Sequence, residues 1–327
     1  MPFLRERSGR LSPEKIIAFI GVLLPLGWLL WRAFSGDLAP PSPFGQPPGL
    51  GGGPALGGPG LGGPGLGAPG GGLGGGGPGG EPALGARPLT EAIRFIGDWA
   101  IRLIVVTLAV TPARRLFNWP KLILARRTLG LGALFYVLLH FGFYIVDMSG
   151  DLVTVAREIV LRIYLTIGFV ALIGLVALGS TSWDGAVQRL GAERWNRLHS
   201  LVYPIAMLGL LHYFMQQKLD VTPPTLLAGF FLWLMGWRLL QKRDLGTSPL
   251  ALVGLAIGAG LATALLEAGW YALATGVDPV RVLQANLAFD YSIRPAWWVA
   301  GLGLAVTAAS QVALRLRPLP APRTARA

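Results

Sequence analysis

The sequence predicts an all-α, polytopic membrane helix bundle: a six-helix core followed by a C-terminal two-helix hairpin. Three observations predict it. Of 327 residues, 53% are apolar and 13% charged, with a mean hydropathy of +0.55, about half the charge of a soluble domain. Apolar stretches near the ~20 residues a membrane span needs recur along the chain. The Lys and Arg behind the net charge of +12 sit in short clusters between those stretches. That is the pattern of topology signals rather than the basic face of a soluble nucleic-acid binder, so no nucleic-acid partner is expected. Cysteine is absent, which excludes disulfides, thiol redox chemistry, zinc ribbons, iron–sulfur clusters and covalent c-type haem attachment.

Residues 1–35 hold the first span, Ile16–Phe34. Basic residues before an apolar core suggest a signal peptide, but Trp28, Leu29, Leu30, Trp31 and Arg32 follow where a small-residue cleavage site belongs. Residues 36–88 read as a disordered linker: 22 of the 47 glycines lie between Gly45 and Gly85 and 12 of the 26 prolines between Pro40 and Pro88. Such composition buries too little apolar surface to offset chain entropy. A G-x-G-x-x-G match at Gly65, Gly67 and Gly70 lies inside it, with no strand before and no helix after, and is a chance match. Residues 89–243 form the core, with spans at Gly97–Pro112, Thr128–Val146, Ile159–Gly179, Leu198–Met215 and Pro224–Leu240. Arg94, Asp98 and Arg102 make Gly97–Pro112 the weakest of these. Residues 244–327 add Pro249–Leu273, Pro295–Leu314 and a basic tail. In that hairpin Gly254-x-x-x-Gly258 offers a small-residue packing face, and Glu267 is expected near the outer interface, solvated.

With eight spans and a cytoplasmic N-terminus, nineteen of the 28 basic residues fall in inside segments, as the positive-inside rule requires. Both termini are then cytoplasmic and the linker periplasmic.

All three histidines fall within spans: His140 in the third, His199 and His212 in the fifth. Ionisable side chains are costly there and mark functional sites. His140 follows Arg127 by 13 residues and His212 follows His199 by 13; each interval is about 20 Å of helix. Both helices run outward, so His140 and His212 share a depth in the outer half, while His199 lies near the inner surface. Two imidazoles at one depth on different helices can ligate one metal across a flat cofactor, and haem iron with two axial histidines is the natural occupant. His199 is left to ligate a second haem or to orient a propionate or quinone headgroup. Pro204 should kink the fifth span.

The runs Arg126–Gly132 leading to His140, Tyr164-Leu-Thr-Ile-Gly168, Ala177–Thr181, Trp195–Tyr203 and His212-Tyr213 resemble the MsrQ (YedZ) family within the ferric-reductase-like transmembrane group. The resemblance covers the first helix and residues 88–243. It implies b-type haem held by His140, His199 and His212, and FMN as an associated cofactor. It also implies electron transfer from the quinone pool or a cytoplasmic flavin reductase to a periplasmic, molybdopterin-dependent MsrP-like reductase that repairs methionine sulfoxide. Such a subunit sits in the bacterial inner membrane and performs no catalysis without its partner. The long linker and the last two helices depart from the family pattern.

Arg126 and Arg127 suit haem propionates or a quinone equally with a plain topology role. Trp183, Trp195, Tyr203 and Tyr213 are expected as interfacial anchors. Ser200 beside His199 lacks an acidic third member, which argues against a hydrolytic triad. Two further functions compete: a ferric or oxygen reductase with a separate flavoprotein donor, and a cofactor-free transporter or scaffold. No repeat relates the two halves as a transporter's would.

Overall fold

The computed structural model describes residues 10–35, 88–217, 220–289 and 292–318. The predicted linker lies outside the described residues apart from Pro88, as do the basic residues Arg5, Arg7, Arg323 and Arg326. The described chain runs as α1 (Pro13–Phe34), α2 (Pro88–Leu116), α3 (Ile123–Asp147), α4 (Leu152–Leu161), α5 (Ile163–Ser180) and α6 (Asp184–Leu190). It continues as α7 (Ala192–His199), α8 (Val202–Gln216), α9 (Thr222–Lys242), α10 (Pro249–Thr275), α11 (Pro279–Ala285) and α12 (Pro295–Leu316).

Six stretches among the described residues are long and apolar enough to cross a membrane on their own: α1, α3, α5, α7 with α8, α10 and α12. The predicted spans in α2 and α9 fall outside that set, although their 29 and 21 residues reach about 43 and 31 Å. Burial explains α2. Ile96, Ala100, Ile101, Leu103, Ile104, Leu108 and Val110 are all buried, so neighbouring helices rather than lipid surround it. A helix enclosed by protein tolerates Asp98, paired with Arg102 at 2.7 Å. Lipid-facing helices show the reverse, with Leu24, Trp31, Phe135, Ile173, Met207, Leu261 and Val312 exposed.

Close approaches set the packing. Tyr136 Oη donates to the Val22 carbonyl at 2.7 Å, and Val22 sits against Gly132, docking α1 on α3. Pro112 has no N–H for the Leu108 carbonyl one turn earlier; Arg238 Nη2 on α9 donates to that carbonyl at 2.7 Å instead. Two predicted spans are interrupted. The fourth breaks at Arg162, whose backbone is extended, so the membrane helix starts at Ile163 and α4 is separate. The fifth breaks at Ser200–Leu201 just before Pro204, which puts His199 and His212 on different helices, α7 and α8.

Two expectations for the hairpin are corrected. Glu267 is fully buried, 0% exposed; it accepts from Asn286 Nδ2 at 3.1 Å and pairs with Arg294 at 3.4 Å. The connection between α10 and α12 folds back over it, so it is not solvated. Gly254 and Gly258 are exposed and face nothing within 4 Å. The close α10–α12 crossing uses Gly260, which faces Ala300, and Gly303, which faces Ala256. Gly276 closes α10 in the left-handed region at φ +70°, a conformation that favours glycine.

One end of the bundle collects the basic segments. Trp119, after α2, donates to Glu14 at the start of α1 at 3.2 Å. Asn118 Nδ2 donates to the Arg317 carbonyl, just after α12, at 3.0 Å.

Candidate functional site

Near the other end, α2, α3, α5 and α8 enclose a cavity of about 600 Å³ lined by both His140 and His212. Their ring centroids are 6.4 Å apart with planes at 86°. His140 Nδ1 lies 2.8 Å from the Ile93 carbonyl oxygen, and His212 Nδ1 lies 2.7 Å from that of Tyr164. A carbonyl oxygen only accepts, so each Nδ1 carries the proton and donates. Each Nε2 therefore keeps an unprotonated lone pair, and no hydrogen bond among the described residues engages it. This is the orientation of metal-ligating histidines, whose second nitrogen donates to a carbonyl and fixes the tautomer.

The two halves are built alike. Ile93 precedes Gly97 by four residues on α2, and Tyr164 precedes Gly168 by four on α5. A helical side chain covers the turn N-terminal to its own Cα, so glycine at the fourth position bares the carbonyl beneath. A Cβ on Gly97 would stand 2.8 Å from His140 Nδ1, and one on Gly168 would stand 2.7 Å from His212 Nδ1. The imidazoles occupy the space those methyls would fill.

Two imidazoles binding one metal from opposite sides at about 2.0–2.1 Å per bond have centroids roughly 6–6.5 Å apart, and the observed 6.4 Å lies in that range. No group of three or more His, Asp or Glu side chains suited to a metal ion occurs among the described residues. Two ligands do not complete a protein-only coordination shell, so an ion held here needs further donors from a bound group, as a macrocycle provides. Beside the pair, Tyr213 Oη donates to Asp98 at 2.7 Å, joining α8 to α2 at the residues that follow His212 and Gly97.

His199 lies apart from the pair. Its Nε2 is 3.1 Å from Thr181 Oγ1 and its ring stacks on Trp195 at 3.8 Å. Arg126 and Arg127 are also at the basic end: Arg126 reaches His199 electrostatically, while Arg127 pairs with Asp184 at 2.6 Å. Of the four predicted anchors, Trp183 is 48% exposed and covered by Arg189. Trp195, Tyr203 and Tyr213 instead bind across helices, to the Thr181 carbonyl, Arg238 and Asp98. Ile93, Gly97, Asp98 and the glycine role of Gly168 are the functional positions the sequence reading missed. A mid-helix glycine four residues after an apolar residue also occurs at Leu138–Gly142, Val170–Gly174 and Ile205–Gly209, so the spacing alone could not single these positions out.

Among the described residues, six helical stretches long and apolar enough to cross a membrane make this a multi-pass membrane protein, and the family described as ferric reductase like transmembrane component matches residues 96–210. Three relatives are each a protein-methionine-sulfoxide reductase heme-binding subunit MsrQ. That of Caulobacter vibrioides is 41% identical over 245 residues, 74% of this chain and 95% of the relative. That of Rhodospirillum rubrum is 42% identical over 170 residues, covering 51% and 82%, and that of Xanthomonas campestris 44% over 161, covering 49% and 73%. The chain belongs to the MsrQ family. No solved structure matches it significantly.

Proposed function

We propose that this protein is the membrane electron-transfer subunit of a methionine-sulfoxide reductase system, with b-type haem held by His140 on α3 and His212 on α8. One observation carries the reading: two imidazoles 6.4 Å apart, each with Nδ1 committed to a carbonyl and Nε2 free. Bound there, haem supplies a one-electron couple inside a low-dielectric bundle. The chain's own residues bind and orient it. Ile93 and Tyr164 fix the imidazole tautomers, Gly97 and Gly168 admit the rings, and Asp98 with Tyr213 ties α2 to α8 beside them. Chemistry on methionine sulfoxide belongs to a partner, so the chain alone turns over nothing.

The finer assignments rest on the family resemblance. The acceptor is a periplasmic, molybdopterin-dependent MsrP-like reductase; the donor is the quinone pool or a flavin reductase; FMN is the second cofactor. Residues 89–243 form the haem core and 244–327 the added hairpin. The basic end faces the cytoplasm of a bacterial inner membrane, with both termini inside. His199, bonded to Thr181 and beside Arg126, serves a separate inner-end role. Arg127, already paired with Asp184, sets topology.

Absorption spectra of the detergent-purified protein, oxidised and dithionite-reduced, test this. The wild type should show a b-type spectrum that His140→Ala and His212→Ala both abolish and His199→Ala retains. A colourless wild type expressed with ample haem would sink the proposal and favour a transporter or scaffold.

A further inference from the structure

Asp98 differs from the other acids around the histidine cavity in its level. It follows Gly97, which seats the His140 ring, and its partner Tyr213 follows His212. Glu91 comes six residues before Gly97 and Asp147 seven after His140, about 9–10 Å along their helices. Glu158, the remaining acid of the lining, is ion-paired with Arg162. Among the described residues, Asp98 is the lining carboxyl that stands at the height of the imidazoles.

Two helices fix this carboxyl. Tyr213 Oη on α8 donates to Oδ1 and Arg102 Nη1 on α2 meets Oδ2, each at 2.7 Å. The ion pair also has a direction. Asp98 lines the cavity and Arg102 does not; the guanidinium lies over the Trp99 ring, 5.2 Å from its centroid. The Asp98 side chain is 19% exposed and that of Arg102 39%. The more buried end of the pair is therefore negative and faces the histidines, and its positive end is the better screened. Joining α2 to α8 needs only a hydrogen bond between neutral groups. An ionisable group inside a span is costly and marks a function, and here it adds a field at the histidine pair.

We propose that Asp98, backed by Arg102, lowers the reduction potential of the haem centre held by His140 and His212. The inference rests on the haem reading above. Adding an electron there reduces the local positive charge, so a carboxylate at the cavity wall disfavours the reduced form, and the guanidinium behind it offsets part of that effect. A lower potential makes the reduced centre a stronger donor to its partner. One charge within roughly 10 Å, at an effective dielectric near 20, changes a one-electron equilibrium on the order of tenfold, or 59 mV.

The test is a spectroscopic redox titration of the haem-loaded full-length protein in detergent, following the absorbance that His140→Ala abolishes. It is run at pH 8, far above the ordinary carboxylate value near 3.9. Asp98→Asn should raise the potential by about 59 mV, a tenfold change. Arg102→Gln leaves the carboxylate uncompensated and should lower it. Opposite signs are the signature of charge, because loosening the junction of α2 and α8 would disturb both variants alike. Glu91→Gln removes the same charge about 9 Å further along α2, where Arg94 pairs with it at 3.3 Å, and should shift the potential less than half as much. If one of the two main variants fails to hold haem, the sign of the other decides. A change below twofold in Asp98→Asn, shifts of the same sign in both variants, or an equal shift in Glu91→Gln overturns the proposal. A wild type without haem overturns the haem reading and this inference together; a haem-loaded protein whose potential ignores Asp98 overturns this inference alone.

Discussion

Replacing Gly168 by alanine tests the way the site is built. The added Cβ would lie 2.7 Å from His212 Nδ1, 2.8 Å from Cε1 and 3.1 Å from Cγ, where ordinary contact begins at 3.4 Å. If the ring retreats by the shortfall of about 0.7 Å, the 2.7 Å bond to the Tyr164 carbonyl stretches to roughly 3.4 Å, beyond the hydrogen-bond range. If the helices part instead, overpacking costs about 1–3 kcal/mol. Loss of the hydrogen bond that orients a metal-ligating histidine lowers affinity about 10–100-fold. Haem titrated into the apo-protein should therefore bind at least tenfold more weakly to Gly168→Ala, and likewise to Gly97→Ala, where Cβ would lie 2.8 Å from His140 Nδ1. Gly142→Ala on α3, with nothing within 4 Å, is the control and should bind as wild type. Haem affinities within about twofold of wild type in both site variants would refute the argument that these glycines seat the imidazoles.

Three further outcomes follow from the geometry. Glu267→Ala strands Arg294 beside a buried gap; breaking such a pair costs about 3–5 kcal/mol, and the lower end applies because Arg294 is 28% exposed. The thermal midpoint should fall while the haem spectrum is kept. Tyr213→Phe removes a 2.7 Å bond to Asp98, worth about 1.5–3 kcal/mol for a charged acceptor, and should lower the temperature at which the haem spectrum collapses. Asp151 caps α4, and hydrogen bonds from the Thr154 hydroxyl first, then from the Thr154 and Val153 N–H groups, hold its carboxyl below the usual range. A lowered folded pKa means the capping contribution is complete above the ordinary value near 3.9 and is lost as pH falls through the lowered one. Protection factors of the first-turn amides of α4 should exceed those of Asp151→Asn at neutral pH, because the side-chain amide lacks the charged acceptor, and converge on them only in strong acid.

Depth was legible in the sequence; azimuth and partners were not. Hydropathy and a fixed rise per residue suffice to place His140 and His212 at one level, and their rings do lie 6.4 Å apart. The irregularity expected from Pro204 in the fifth span falls one turn before it, at Ser200–Leu201, where α7 with His199 gives way to α8 with His212. Glu267 looked solvated because its partners Asn286 and Arg294 lie 19 and 27 residues further on, past the end of its own helix, where no local pattern reaches. The pairs Ile93–Gly97 and Tyr164–Gly168 went unread because a glycine's role here is to receive a side chain from another helix. Arg94, Asp98 and Arg102 marked α2 as the weakest span, and the structure adds what the local sequence does not show: much of the helix is buried against its neighbours.

A haem iron bound by His140 and His212, as proposed, would meet two imidazoles whose planes stand at 86° to each other. Electron paramagnetic resonance of the oxidised, purified protein addresses it directly. Crossed axial imidazole planes give a strongly anisotropic low-spin ferric signal with a large principal g value, and removing either ligand by His140→Ala or His212→Ala should eliminate it. A wild type that is high-spin, or a low-spin signal that persists in either variant, would contradict the account.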